Sequence, residues 1–164
     1  MKKVALIMGS DSDLPVVEKA IDMLRFFQVP FEVHVYSAHR TPQESAAFAR
    51  SAQENGFGVI IAFAGKAAHL AGALAANTIL PVIGVPVRAT NLDGIDALLS
   101  TVQMPTGMPV ATVAIDGAAN AALLSVQILA LSDPALAEAY TEYRRSQTEK
   151  VLAKNAQIEE KYNH

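Results

Sequence analysis

Short apolar runs alternate with longer stretches of helical period along this chain. Lys3–Met8 reads as a strand. From about Leu14 to Gln28, apolar Val17, Ile21, Leu24 and Phe27 recur at helical spacing, with Pro15 tolerated in the first turn. Phe31–Tyr36 alternates, with Phe31, Val33 and Val35 on one face and Glu32, His34 and Tyr36 on the other. Thr41, Pro42 and Glu44 have the spacing of a capping box with proline at the first helical position, and that helix ends near Asn55-Gly56. Gly58–Phe63 is apolar on both faces, which predicts a central strand. A helix over about Ala68 to Asn77 and a strand over Val82–Val87 follow. A short helix, Ile95–Thr101, then leads through the Pro/Gly-rich Gln103–Pro109 to a fifth strand, Val110–Ile115, and a helix over Ala118–Leu131.

Five β-α units at short spacing imply right-handed crossovers and a three-layer α/β/α sandwich. The expected sheet is parallel, five-stranded and flavodoxin-like, in the order 2-1-3-4-5. Its ligand crevice should lie between strands one and three. The tail is different in character. Pro134–Tyr162 reads as one charged helix, and at 1.5 Å per residue it would span roughly 40 Å, more than a small domain is wide. The expected organisation is an α/β domain over 1–132 that carries the site. Residues 133–164 are a helical extension packing on a neighbouring subunit, with Leu136, Tyr140, Tyr143 and Val151 as anchors.

Composition narrows the class. At 164 residues and 51% hydrophobic, the chain can bury the core of one domain. A net charge of −3 without a basic stripe argues against a nucleic-acid partner. The absence of cysteine excludes disulfides, thiol catalysis and zinc–thiolate sites. The apolar run after Met1-Lys2-Lys3 is shorter than the ~7–15 residues of a signal-peptide core. No run approaches the ~18 residues that span a membrane. A cytoplasmic protein with no membrane partner is the expectation.

Three strands break off into loops rich in polar chemistry, all leaving the same sheet edge. Gly9-Ser10-Asp11-Ser12-Asp13 opens a helix, where backbone N–H groups and the Ser10 and Ser12 hydroxyls suit an anion. Its carboxylates suit a ribose diol, so a phosphosugar or mononucleotide fits; a helix cap with surface acids explains the same residues. Ser37-Ala38-His39-Arg40 sets a proton carrier beside a planar phosphate fork. Ala64-Gly65-Lys66-Ala67-Ala68-His69, followed by Leu70, joins small residues to Lys66 and His69, although His69 can equally serve its own helix. His34, on its strand face, and the terminal His164 read as structural. No histidine pair has metal-ligand spacing, no Walker loop is present, and no Gly-x-Ser-x-Gly elbow supports a hydrolase triad. No metal or cofactor is called for.

The segments MGSDSD, SAHRTP, AGKAAHLAG, PVIGVPV, LLSTVQMPTGMPVATVAI and NAALL, in this order and over nearly the whole chain, resemble the PurE family in its bacterial mutase type. That resemblance implies a cofactor-independent mutase of purine synthesis acting on N5-carboxyaminoimidazole ribonucleotide, and a homo-octamer whose terminal helices cross between subunits. Carried onto this chain, it makes His39 the general acid/base, with Ser10, Asp13 and Arg40 as substrate contacts. Asp13 would take the ribose hydroxyls and Arg40 the phosphate, assisted by Ser12 and Ser37. The Ala64–His69 loop would close over the base and CO2. Three departures stand out: Lys66 where the family commonly has glycine, Ala71 where it commonly has proline, and a shorter stretch over Ile115–Asn120. The nearest rival is a direct aminoimidazole ribonucleotide carboxylase. A receiver domain lacks its acceptor aspartate at Phe63-Ala64-Gly65, a flavin module lacks its aromatic loops, and a phosphoribosyl-binding module would bind without turnover.

Overall fold

The computed structural model describes residues 1–89 and 91–163; Thr90 and His164 lie outside the described residues. Five parallel strands form one sheet in the order β2-β1-β3-β4-β5: β1 Lys3–Met8, β2 Phe31–Val35, β3 Phe57–Gly65, β4 Val82–Val87 and β5 Ala111–Thr112. The helices are α1 Leu14–Phe26, α2 Pro42–Ser51, α3 Leu70–Ala75, α4 Ile95–Val102, α5 Ala118–Ala130 and α6 Pro134–Tyr162, and a 3-10 turn over Asp11–Asp13 precedes α1. This is the predicted three-layer sandwich and strand order.

Strand alternation divides the core into two layers. Val4, Leu6 and Met8 of β1 and Val59, Ile61 and Phe63 of β3 point to the side covered by α1 and α5, where they meet Val17, Leu24 and Val126. Ala5, Ile7, Ile60 and Ala62 point the other way, toward Ala49, Leu70 and Leu74 of α2 and α3. β1 and β3 are buried on both faces because each has a strand on either side and helices above and below. α4 covers β4 through a close approach: a Cβ at Gly84 would collide with the methyl of Thr101, so only glycine lets Thr101 pack there.

The fifth strand differs from its prediction. Its ladder covers two residues, pairing Ile83 with Ala111 and Gly84 with Thr112. Gly84 still accepts a bond from Val113, and Pro86 accepts one from Asp116. Both carbonyls face β5, so the edge of Pro86 that would continue the ladder has no N–H to donate.

α6 spans the predicted residues, but its anchors act within the chain. The Asp133 side chain caps it by accepting from the Leu136 amide, and Leu136 is buried in the core. Tyr143 packs edge-on against Phe26 and Phe27, with Tyr140 beside Phe27 at 6.1 Å between ring centroids. Three of the four residues expected to reach a neighbour therefore pack within their own domain: Leu136 in the core, and Tyr140 and Tyr143 against the phenylalanines that end α1, while α5 lies alongside α6. Val151 and the rest of the helix from Gln147 on are exposed.

Candidate functional site

The C-terminal edges of β1, β2, β3 and β4 open onto a cleft of about 820 Å³. Gly9, Ser10, Ser12 and Asp13 line it from the first loop, and Ser37, Ala38, His39 and Arg40 from the second. The third loop contributes Ala64, Gly65, Lys66, His69 and Leu70. Asp11 does not line it; its carboxylate faces the Ser10 hydroxyl at 3.4 Å, at the exposed outer side of the turn. His34 lies elsewhere, stacked on Tyr36 and 3.3 Å from Glu32.

Each loop is built by its own polar residues. In the first, the Ser10 hydroxyl accepts from the Ser12 amide at 3.3 Å and from the Ser12 hydroxyl at 2.9 Å, while its carbonyl accepts from the Asp13 amide. Ser10 is thus both cleft wall and cap of the 3-10 turn. Asp13 is buried, and burial pushes its carboxyl above the ordinary aspartate value. A backbone hydrogen bond from Ser10 opposes this, and the charges of Asp11 and Asp116 add to it.

The second loop corrects one expectation. Thr41 starts α2, with Pro42 at its first position, but the threonine side chain makes no cap bond to the helix. Its hydroxyl instead accepts from the Ser37 amide at 2.8 Å and donates to the Ser37 carbonyl at 3.1 Å. The reason is accounting: at the end of β2 the Ser37 backbone has left the ladder, and Thr41 satisfies both of its groups. The Ser37 hydroxyl accepts from the Arg40 amide at 3.1 Å. His39 and Arg40 therefore sit at the exposed tip of a turn cross-braced at its base.

The third loop is held from behind by α4. The Thr101 hydroxyl lies 3.1 Å from the Ala68 carbonyl, and His69 Nδ1 lies 3.3 Å from the Ser100 carbonyl. A carbonyl only accepts, so this bond puts a proton on Nδ1. The ring lies flat on Gly72, where a Cβ would overlap it. Lys66 adopts a left-handed backbone, φ 56°.

Ala67 of the third loop also lines the cleft, as do Arg88, Asp116, Val16, Val87 and Ala89, which escaped the sequence reading. Arg88 and Asp116 follow β4 and β5 and are tied together: Asp116 accepts from the Arg88 amide at 2.9 Å, with the guanidinium Nε 3.8 Å away. Asp116, at φ 57°, is the turning point of the Ile115–Asn120 stretch. A signal was present, because every parallel strand delivers its C-terminal loop to this edge. These two loops passed unnoticed because Arg88 and Asp93 stand apart in the first and Asp116 is alone in the second. No group of three or more His, Cys, Asp or Glu side chains among the described residues is arranged to hold a metal.

A cleft at the switch point of a parallel sheet, lined by basic, hydroxyl and carboxylate side chains and by two histidines, defines an α/β protein with a polar small-molecule site. Residues 3–150 match the AIR carboxylase family, and the chain belongs to that family. It is 57% identical over 144 residues to the N5-carboxyaminoimidazole ribonucleotide mutase of Pyrococcus abyssi, covering 88% of this chain and 83% of that protein. It is 53% identical over 156 residues to the chloroplastic phosphoribosylaminoimidazole carboxylase of Vigna aconitifolia, covering 95% of this chain but 28% of that larger protein. The crystal structure of Treponema denticola PurE superposes with a TM-score of 0.84 at 25% identity, covering 99% of each chain.

Proposed function

We propose that this chain is an N5-carboxyaminoimidazole ribonucleotide mutase of the bacterial type. One observation carries the proposal: a single cleft collects the proton carrier, the guanidinium, the hydroxyls and the carboxylate that a phosphoribosyl carboxylate requires. A 57% identical relative of similar length bearing that name supports the choice of reaction.

In the proposed reaction the bond between the exocyclic nitrogen and its carboxylate breaks, releasing CO2. The nucleophilic ring carbon captures it, and the carbon's proton ends on the nitrogen, so no atom or electron is gained or lost. His39 carries that proton. Arg40 binds the phosphate with its planar fork, Asp13 takes the ribose hydroxyls, and Ser10, Ser12 and Ser37 complete the polar wall. The Ala64–His69 loop covers the ring and retains CO2, which makes positioning and exclusion of water the main catalytic devices. Residues 1–132 would form the catalytic domain of a cytoplasmic homo-octamer, with 133–164 meeting a neighbouring subunit.

The similarity to the Vigna aconitifolia carboxylase favours a second reading, direct carboxylation of aminoimidazole ribonucleotide by CO2. A product assay with each substrate separates the two. Conversion of the N-carboxylated ribonucleotide to 4-carboxy-5-aminoimidazole ribonucleotide is the expected result. Efficient turnover only of aminoimidazole ribonucleotide with CO2 would reverse the assignment, and binding without turnover would reduce the chain to a phosphoribosyl-binding module.

A further inference from the structure

Three cationic side chains line the cleft: Arg40, Lys66 and Arg88. Arg88 is committed to Asp116, which receives both its amide and its guanidinium. Neither Arg40 nor Lys66 pairs with a carboxylate among the described residues. Two uncommitted cations thus face a substrate class that carries two anionic groups, a phosphate and a carboxylate.

The cations differ in what they hold well. The guanidinium of Arg40 is a rigid fork matched to phosphate oxygens, whereas an ammonium is a compact point charge on a flexible stem. The ammonium suits a group that must be held and then released as it changes from carboxylate to CO2 and back. Lys66 also occupies a backbone position that disfavours it: φ is 56°, in the left-handed region where a side chain is strained relative to glycine. The Ala68 amide donates to the Lys66 carbonyl at 2.8 Å and the His69 amide to Ala67 at 2.9 Å, which fixes the turn. Lys66 sits in the same loop as His69 and lines the cleft together with the Ser37–Arg40 turn.

We propose that Lys66 is a specificity-determining residue of this site, its ammonium binding the migrating carboxylate while Arg40 binds the phosphate. The assignment rests on the substrate class proposed above. The test compares two ribonucleotides that share the phosphoribosyl group and differ in the carboxylate: 4-carboxy-5-aminoimidazole ribonucleotide and 5-aminoimidazole ribonucleotide. Their binding to the full chain is measured by calorimetry for wild type, Lys66→Gln and Lys66→Arg.

A lost hydrogen bond to a charged group predicts that Lys66→Gln binds the carboxylated ligand on the order of tenfold more weakly. Its affinity for the uncarboxylated ligand should be unchanged, and Lys66→Arg should recover most of the loss. Equal weakening toward both ligands would reassign Lys66 to the phosphate, and no weakening toward either would leave it a solvent-facing charge; each overturns the proposal. A wild-type protein that binds neither ribonucleotide overturns the substrate assignment itself.

Discussion

His39 extends from the tip of the Ser37–Thr41 turn with no carboxylate or carbonyl hydrogen-bond partner among the described residues, in the same cleft as Asp13 and Arg40. A side chain so placed is free to exchange a proton with a bound ligand, whereas His34, stacked on Tyr36 and bonded to Glu32, is not. His39→Asn should lower turnover by at least ~100-fold, the lower end for general acid/base catalysis, while ligand affinity survives. Near-normal turnover of that variant would remove His39 from the mechanism. Asp13 gives a prediction of a different kind. A carboxyl whose folded pKa is raised contributes stability only while protonated. That contribution is complete below the ordinary value of 3.8 and is lost as pH rises through the folded value. At neutral pH the ionised, buried group therefore costs stability. Asp13→Asn should raise the melting temperature at pH 7, a gain that shrinks as the solution is acidified. Ribonucleotide affinity should fall at the same time by roughly 10- to 100-fold, the range for a hydrogen bond to a charged group. A variant that loses affinity without gaining stability would show that Asp13 is not held at a cost for binding.

The elements meet the site through devices that a periodicity argument does not reach. β1 and β3 were legible because runs such as Val4–Met8 and Val59–Phe63 are apolar on both faces, and α1 because its stripe repeats at helical spacing. The brevity of β5 was not, since it depends on which edge of β4 turns Pro86 toward it. The Thr41–Glu44 spacing correctly marked where α2 begins, yet the hydroxyl went to Ser37, whose amide the β2 ladder had left unpaired. Thr41→Val would leave that half-buried amide without this partner and should cost about 1 kcal/mol by urea denaturation. Turnover should fall as well, because His39 and Arg40 ride on the turn that Thr41 closes. Unchanged stability would show that the turn is held by other contacts.

At the scale of the whole molecule, α6 has two parts. Up to Ser146 it is a packing element of its own domain, through Leu136, Tyr140 and Tyr143. From Gln147 to Asn163 it is exposed on every side, with Val151, Leu152 and Ile158 open to solvent in one chain. A truncation that tests the tail's role in assembly should therefore follow Ser146, since a cut before Ser132 would also strip core contacts. Removing 147–164 should leave the thermal unfolding of the domain intact and lower the mass measured by light scattering below that of an octamer. An unchanged mass would exclude this segment from the assembly. No described helix, α6 included, is long and apolar enough to cross a membrane.

The local pattern of residues determined the strand and helix inventory, the parallel order and the three loops at one sheet edge, because alternation, helical period and crossover handedness are consequences of chain geometry. It also singled out His39, Arg40, Asp13 and Lys66 by chemistry and position. Tertiary structure alone decided how those groups are partnered. Burial beside Asp116 raised the carboxyl of Asp13. The Arg88–Asp116 tie left Lys66 and Arg40 as the uncommitted cations of the cleft. α1, by presenting Phe26 and Phe27, kept half of the long helix at home. Each of these is a competition between groups far apart in the chain, and such competitions are settled only when folding brings the rivals within reach.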